Sequence, residues 1–401
     1  MFKIFYILFL FCASVLSLQV YSFFLTPRQT LAVLMFVVCV FEEKKLFLDK
    51  FIKAYFLFVF FYGLSSFVTG YVNEFILRLF GDYFVAYVAI WAIKILVTKY
   101  DGLKLFIYTF LTIAIFDGFV TLCQFMGWGF LDAFLNSLQL ISYQPYLDNY
   151  QGTGADLFLR CAPGIFSHPV LNAHALAAGT VISTYIACKK NFVLGTLLSI
   201  IMLIFLFATQ QRTAFAIVLL SISIIVFIKS IRSNYRSVVL PFVFIIASYS
   251  FFELYEFIMN GDFRFSELGS DATGRESIYH ASVNFIADNP FGGINKYVNS
   301  TSSYPHNLFY NAFIFGGWLG GLVLLYIVFL QCLEIYRTMR SRNVDITEII
   351  MALASLSLLV NGLTHNQSIV NGEILTWSVW GAFYYSKVKN IGVRKTKVST
   401  Y

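Results

Sequence analysis

The chain has 401 residues, of which 59% are hydrophobic and 12% charged, with a formal net charge of +7. A soluble domain carries about 25% charged residues, so this composition excludes a water-soluble globular protein and makes lipid the solvent for most of the surface. The positive charge does not point to nucleic acid, because it is dealt out by side of a membrane rather than gathered in one patch.

Twelve apolar runs reach or approach the roughly 20 residues that a bilayer crossing needs. They cover 4–24, 29–41, 52–70, 83–98, 104–126, 170–188, 191–209, 213–229, 237–254, 307–332, 346–363 and 373–387. Backbone groups in lipid must be bonded within their own segment, so these runs are expected to be helices. Residues 1–22 resemble a signal peptide, but no small-x-small cleavage site stands out and another apolar run follows at once. They are read as the first helix.

Sidedness follows from Lys and Arg. With the N-terminus inside, 21 of the 28 basic residues fall on inner segments, and the bias returns after every even helix. Both termini are therefore expected in the cytoplasm. The fold class read from the sequence is an all-α polytopic membrane protein of about 12 transmembrane helices, with a partly helical outer, periplasmic segment near 255–306. Helices 1 to 5 occupy 1–126, an outer loop 127–169, helices 6 to 9 170–254, a large outer loop 255–306, and helices 10 to 12 with a basic tail 307–401. The seven basic residues left outside are Arg28, Arg78, Arg160, Arg212, Arg264, Arg275 and Lys296. Six are Arg, the side chain preferred for planar, bidentate binding of phosphate.

The first four helices carry little chemistry, and Arg78 in their second outer connection reads as a snorkelling anchor. The fifth leads to a Tyr-rich loop that closes with RCAPGIFSHPVLNAHALAAG, Arg160 to Gly179. His168 and His174 are six apart, on different faces of a continuous helix, and form no zinc site. Each reads as a hydrogen-bonding interface residue. The six Cys show no metal spacing. Next comes FLFATQQRTAFAIVLL, in which Gln210, Gln211 and Arg212 sit between two apolar runs joined by almost no loop. An Arg at that depth must pair or line a wet cavity.

The outer segment near 255–306 begins polar, and Asp271 or Thr273 is placed to cap a helix starting near Arg275. That helix is expected to lie on the membrane surface and to end at Asn289-Pro290. Arg275 would stand at its N-terminus, where backbone N–H groups also favour anions. His306 and Asn307 open the tenth span. Gly316, Gly317, Gly320 and Gly321 follow and allow close packing of another helix.

The order Thr-x-x-Arg at a hairpin, Gly-Arg, Asn-Pro-x-x-Gly-Ile, then Pro-His-Asn before a Gly-rich helix resembles the O-antigen ligase and O-antigen polymerase family. The resemblance covers about Phe205 to Leu325, and the twelve-helix layout agrees with it over the whole chain. The Arg160 to Gly179 region looks like the family's preceding loop. Gln211 is a departure, since many members carry Ser before the Arg. The resemblance implies transfer of a glycan from undecaprenyl pyrophosphate to a sugar hydroxyl outside the bacterial cytoplasmic (inner) membrane. The acceptor is another lipid-linked repeat unit for a polymerase and lipid A-core for a ligase, and a polymerase would work with a chain-length regulator.

Carried over by position, Arg212 and Arg275 would bind the pyrophosphate as catalytic groups, and His306 would take the acceptor proton or contact the phosphate. Arg160, Gln211, His168 and Asn307 are the further substrate-binding candidates. No metal motif or nucleotide-binding glycine loop is present, so no metal or cofactor is expected, and no nucleic-acid partner. A multispan transporter or lipid-glycan flippase is the reading from another class, set aside because the ionisable groups gather at one surface rather than near the midplane.

Overall fold

The computed structural model describes residues 2–15, 27–128, 130, 162–166, 169–231, 271–305, 307–341, 344–364, 370 and 372–398. Among these there is no strand. The helices are α1 (Phe2–Val15), α2 (Pro27–Glu43), α3 (Lys50–Thr69), α4 (Val72–Arg78), α5 (Phe84–Tyr100), α6 (Leu103–Phe125), α7 (Pro169–Lys189), α8 (Phe192–Ala208), α9 (Arg212–Ile231), α10 (Asp271–Asp288), α11 (Ile294–Thr301), α12 (Leu308–Arg340), α13 (Ile346–Thr364) and α14 (Ile374–Val398). A π-helical turn, Leu79–Tyr83, joins α4 to α5. Among the described residues, seven helical stretches are long and apolar enough to cross a membrane by length and composition. The expected span at 237–254 and nearly all of the loop at 127–169 lie outside the described residues.

Local sequence explains where the helices begin and stop. Asp49 accepts from Ile52 N at 2.9 Å and caps α3, which ends on Gly70 in the left-handed region at φ 81°. Asn191 caps α8 in the same way. Pro169 opens α7, where its missing N–H is an orphan in any case. Between the helices the core is aromatic, with Trp91, Trp377, Trp380, Phe51, Phe58 and Phe106 among its largest fully buried side chains.

One end of the bundle is basic and internally neutralised. Lys94 pairs with Glu43 at 2.7 Å, Lys99 with Glu42, Lys387 with Glu334 at 2.8 Å and Lys189 with Asp345 at 2.6 Å. All four Lys were assigned to inner segments by alternation, and the structure gathers them at the same end. Partial burial pushes the Asp345 carboxyl up, but the Lys189 ammonium outweighs it and holds the group below the usual carboxylate range.

The Gly-rich stretch behind Asn307 behaves differently from its expectation. Gly316 and Gly320 do lie against Phe58, Tyr62 and Phe61 of α3, as close helix packing requires. Gly317, however, leaves the helical region at φ 64°, ψ −168° and breaks α12. The break is filled by the turn at Asn289 to Gly293. Gly293 N donates to Ile314 O at 2.7 Å, and Trp318 N donates to Pro290 O at 2.9 Å. In an unbroken helix Trp318 N would serve Ile314 O. The inserted turn takes over both halves of that lost bond, so no backbone group is stranded. A Cβ on Gly292 would sit 2.6 Å from Ile314 O, and one on Gly317 would sit 2.5 Å from Pro290 O.

The joint also redirects α10. It ends at Asn289-Pro290 as expected, but among the described residues its second half packs on α12. The Tyr279 and Tyr310 rings lie 5.5 Å apart, and Trp318 Nε1 donates to Ile286 O at 2.8 Å. The two contacts advance together along both helices, so α10 runs parallel to the first half of α12. The short helix α11 was not anticipated. Its apolar face carries Ile294, Tyr297 and Val298, and the Tyr297 hydroxyl meets Ser282 of α10 at 2.9 Å.

Gly317→Ala is expected to lower stability by about 3 kcal/mol, because φ and contact both reject a side chain there. Gly320→Ala, whose methyl would meet Phe61 at 3.4 Å, is expected to be near neutral. Melting curves of the two detergent-solubilised variants, followed by size-exclusion fluorescence, check the contrast.

Candidate active site at one end of the bundle

At the end opposite the lysine pairs, short polar segments are stitched together. The turn at 162–166 is held from three sides. Asp117 Oδ1 of α6 accepts from Ile165 N at 3.0 Å, and Gln124 Oε1 accepts from Gly164 N at 2.7 Å. Asn172 of α7 donates to Ala162 O at 2.8 Å and to Thr121 at 2.9 Å. Ala162 N in turn donates to Ala208 O, the last residue of α8, at 3.4 Å. Gly164 has φ 61°, and a Cβ there would fall 2.2 Å from Asp117 Oδ1. The turn therefore needs glycine, and it fastens the α8–α9 hairpin to α6 and α7.

That hairpin presents Arg212. Thr209, Gln210 and Gln211 are buried between the helices, and Gln210 adopts the left-handed region at φ 56°, which a non-Gly residue seldom does. Gln210 Nε2 donates to Phe207 O at 3.0 Å, while its buried Oε1 has no hydrogen-bond partner among the described residues. Gln211 Nε2 reaches Thr209 O at 3.4 Å. Arg212 is the first residue of α9 and is half-buried, beside these amides. A buried amide oxygen beside a guanidinium, in a strained turn, has the character of a ligand site.

The first turn of α12 is fixed from the other side of α13. Asn307 Oδ1 caps the helix by accepting from Phe309 N at 2.8 Å, and its Nδ2 donates to Leu363 O in the last turn of α13 at 2.9 Å. Both amide atoms are thus engaged in holding the chain that carries His306. The parallel register of α10 on α12, read from Tyr279–Tyr310 and Ile286–Trp318, points the start of α10 toward the start of α12. Arg212, Gln211, Asn307 and the first turns of α10 consequently share one end of the bundle. His306, Arg160 and His168 lie outside the described residues, and the described turn at 162–166 falls between the last two in sequence.

Three groups at this end escaped sequence reasoning as members of the site. Glu373, just before α14, accepts from His174 Nδ1 at 3.2 Å and from Thr376 at 2.5 Å, and both His174 and Glu373 are buried. His174 is therefore the interface residue it was expected to be. Gly372, at φ 70°, packs on the backbone of Asp82 in the π-helical turn, and Tyr83 of that turn donates to Val370 O at 2.8 Å. Arg78, expected to snorkel, instead lays its guanidinium 5.2 Å from the Phe315 ring of α12. Only the placement of Gly and Asp residues hinted at these contacts, since each partner pair is distant in sequence. Among the described residues no cluster of His, Cys, Asp and Glu has the makeup of a metal site.

Residues 197–325 match the family model described as O-antigen ligase. The matched stretch starts in α8 and ends in α12, so it contains the Arg212 hairpin, α10, α11 and the joint at Gly317. It covers less than half of the chain, and it is the family to which the order of motifs pointed. No curated protein and no solved structure matches the chain.

Asn307→Ala removes the cap and the bond to α13 together and is expected to lower stability by about 2 kcal/mol. Asn307→Asp keeps the cap acceptor and is expected to recover about half of that. Thermal melts of both variants measure it, and equal losses would mean that the cap contributes nothing.

Proposed function

Taking as premise that residues 197–325 form a domain of the O-antigen ligase family, we propose that the chain is a membrane glycosyltransferase of the bacterial cytoplasmic membrane. The donor is a glycan on undecaprenyl pyrophosphate, and the acceptor is a sugar hydroxyl of another lipid-linked repeat unit, which makes the enzyme a polysaccharide polymerase. The basic, ion-paired end lies in the cytoplasm under the positive-inside rule, and the site lies on the periplasmic face. The observation that carries this reading is the convergence of Arg212 and the first turns of α10 and α12 at one end of the bundle, inside the matched stretch.

Chemistry follows from the residue types. The acceptor oxygen forms a bond to the anomeric carbon while the carbon–phosphate oxygen bond breaks, and its electron pair leaves with the pyrophosphate. Oxocarbenium character develops on the sugar. Arg212 and Arg275 neutralise the charge growing on the leaving group, an effect available to fixed cations in a water-poor site. His306 accepts the acceptor proton. A single displacement inverts the anomeric centre. Arg160, His168 and Gln211 contact the glycan or the phosphates, and Asn307 holds the His306 segment in place. The polyprenyl pyrophosphate bond is already activated, so ATP is not needed.

A ligase using lipid A-core as acceptor is the second reading, favoured by the family description itself. The transporter reading is weakened by the joint in α12. Transporters leave the ends of broken helices facing substrate or ion, whereas here the Asn289 to Gly293 turn consumes the freed backbone groups.

Two experiments test the proposal. Arg212→Ala, Arg275→Ala and His306→Ala, purified and assayed with a polyprenyl-pyrophosphate glycan, are each expected to slow transfer by about 10²-fold or more. Undiminished transfer by any one removes that residue from the mechanism. In a deletion strain, loss of the glycan ladder with one unit still on the core is the polymerase outcome; a bare core with lipid-linked polymer retained is the ligase outcome.

A further inference from the structure

Arg78 occupies a position that a membrane anchor does not. A snorkelling Arg extends its head group into water. Here the head group turns inward, is half-buried, and lies on the Phe315 ring in the first half of α12. Phe315 is also packed by Tyr62 of α3 at 5.0 Å, and Tyr62 lies 5.8 Å from Tyr83. Tyr62, Tyr83, Asp82 and Tyr304 are the titratable neighbours of Arg78. Tyr304 stands two residues before His306, is 37% exposed, and so opens the cluster to solvent.

The π-helical turn explains how the cluster is built. Phe84 N reaches back to Leu79 O, one residue further than in an α-helix. The wider turn carries Tyr83 into the core, where it bonds Val370 O, and sets Asp82 against Gly372. Arg78 is the residue immediately before this turn. The carboxylate in the turn is already engaged, because Asp82 lies 3.7 Å from Arg28. Arg28 itself keeps a buried Nε with no hydrogen-bond partner among the described residues. Arg78 makes no hydrogen bond or close ion pair among the described residues. Asp82 is thus engaged by Arg28, while the Arg78 guanidinium lies over an aromatic ring near the start of α12.

We propose that Arg78, backed by Arg28 and walled by Tyr62, Tyr83 and Tyr304, is an additional oxyanion-binding subsite for the incoming substrate, separate from the Arg212 hairpin. The guanidinium held over the Phe315 ring leaves N–H groups for a planar, bidentate partner; the buried Tyr62 and Tyr83 form the floor, and the exposed Tyr304 offers its ring and hydroxyl to a pyranose. The oxyanion is the carboxylate of an acidic sugar or the phosphate of a lipid-linked acceptor. Arg78 is a binding residue for the acceptor side and does not touch the bond being broken. This subsite rests on the glycosyltransferase reading for its substrate, but not for its affinity for an oxyanion.

The test uses the full-length protein in detergent, with glucuronate and inorganic pyrophosphate as probes and glucose as the neutral control. Titrations are run on the protein with Arg78 intact, on Arg78→Ala and Arg78→Lys, and on the same set in an Arg212→Ala background, so that pyrophosphate held by the hairpin is subtracted. Arg78→Ala is expected to weaken one probe by about tenfold or more, in line with loss of a charged hydrogen bond, with Arg78→Lys intermediate and glucose unaffected. Loss confined to glucuronate assigns an acidic sugar; loss confined to pyrophosphate assigns a lipid-borne phosphate. In the transfer assay the same variant is expected to raise KM for the acceptor while kcat changes little. Equal affinity of Arg78→Ala and the unaltered protein for both probes overturns the subsite, as does failure of the unaltered protein to bind either. Probe binding without any glycan transfer would instead sink the glycosyltransferase reading and leave the oxyanion site standing.

Discussion

The structure turns on two backbone hydrogen bonds across the break in α12. A helix in lipid cannot open its ladder without stranding a donor and an acceptor, each at a cost of several kcal/mol. Gly293 N and Pro290 O replace the missing partners of Ile314 O and Trp318 N. Because the replacement comes from another segment, the break becomes a weld. It fixes where the 289–293 turn sits, and through that turn it fixes both α10 and α11. The parallel course of α10 along the first half of α12 follows from the weld. A continuous α12 would leave the loop before it without an anchor at this depth.

The two ends of the bundle use opposite charge in different ways. At the lysine-rich end, Lys94, Lys99, Lys189 and Lys387 pair with carboxylates of other helices or loops, and the pairs hold helices together. At the other end, Arg28 has a distant partner in Asp82, and Arg78 has a ring in place of an anion. Glu373, Asp117 and Asn172 there serve neighbouring side chains and backbone rather than guanidinium groups. An end built from neutral hydrogen bonds around underused cations is suited to receive an anion. An end built from ion pairs is suited to stay shut.

Hydropathy and the Lys/Arg alternation made the helical class and the grouping of the lysines legible, because lipid enforces both residue by residue. The order of Arg212, Arg275 and His306 was legible as a motif, and the family match covers that stretch. The stop of α10 at Asn289-Pro290 was legible because proline and turn chemistry act locally. The break at Gly317 was not. FGGWLGG reads equally as a small-residue packing face, and Gly316 and Gly320 do pack that way. Which of the four glycines breaks the helix depends on where a separate turn arrives. His174–Glu373 and Arg78–Phe315 were hidden for the same reason, since each joins residues far apart in sequence and neither side carries a local signature. α11 was missed because its apolar positions, Ile294, Tyr297 and Val298, span barely one turn of an eight-residue polar stretch.

α13 connects the two halves of this end. On one flank it packs against α7 and α9, which the 162–166 turn and the α8–α9 hairpin lock to each other. On the other its last turn receives Asn307 and so meets the α12 unit with its welded turn. The Arg212 hairpin and the first turn of α12 therefore both rest on α13, and α14 ties the same two sides through His174–Glu373 and Lys387–Glu334. The transfer proposed for this end needs its donor and acceptor groups held within fractions of an ångström at the moment of reaction. Supports shared through α13 and α14 meet that demand, while each side keeps its own geometry through hydrogen bonds inside it.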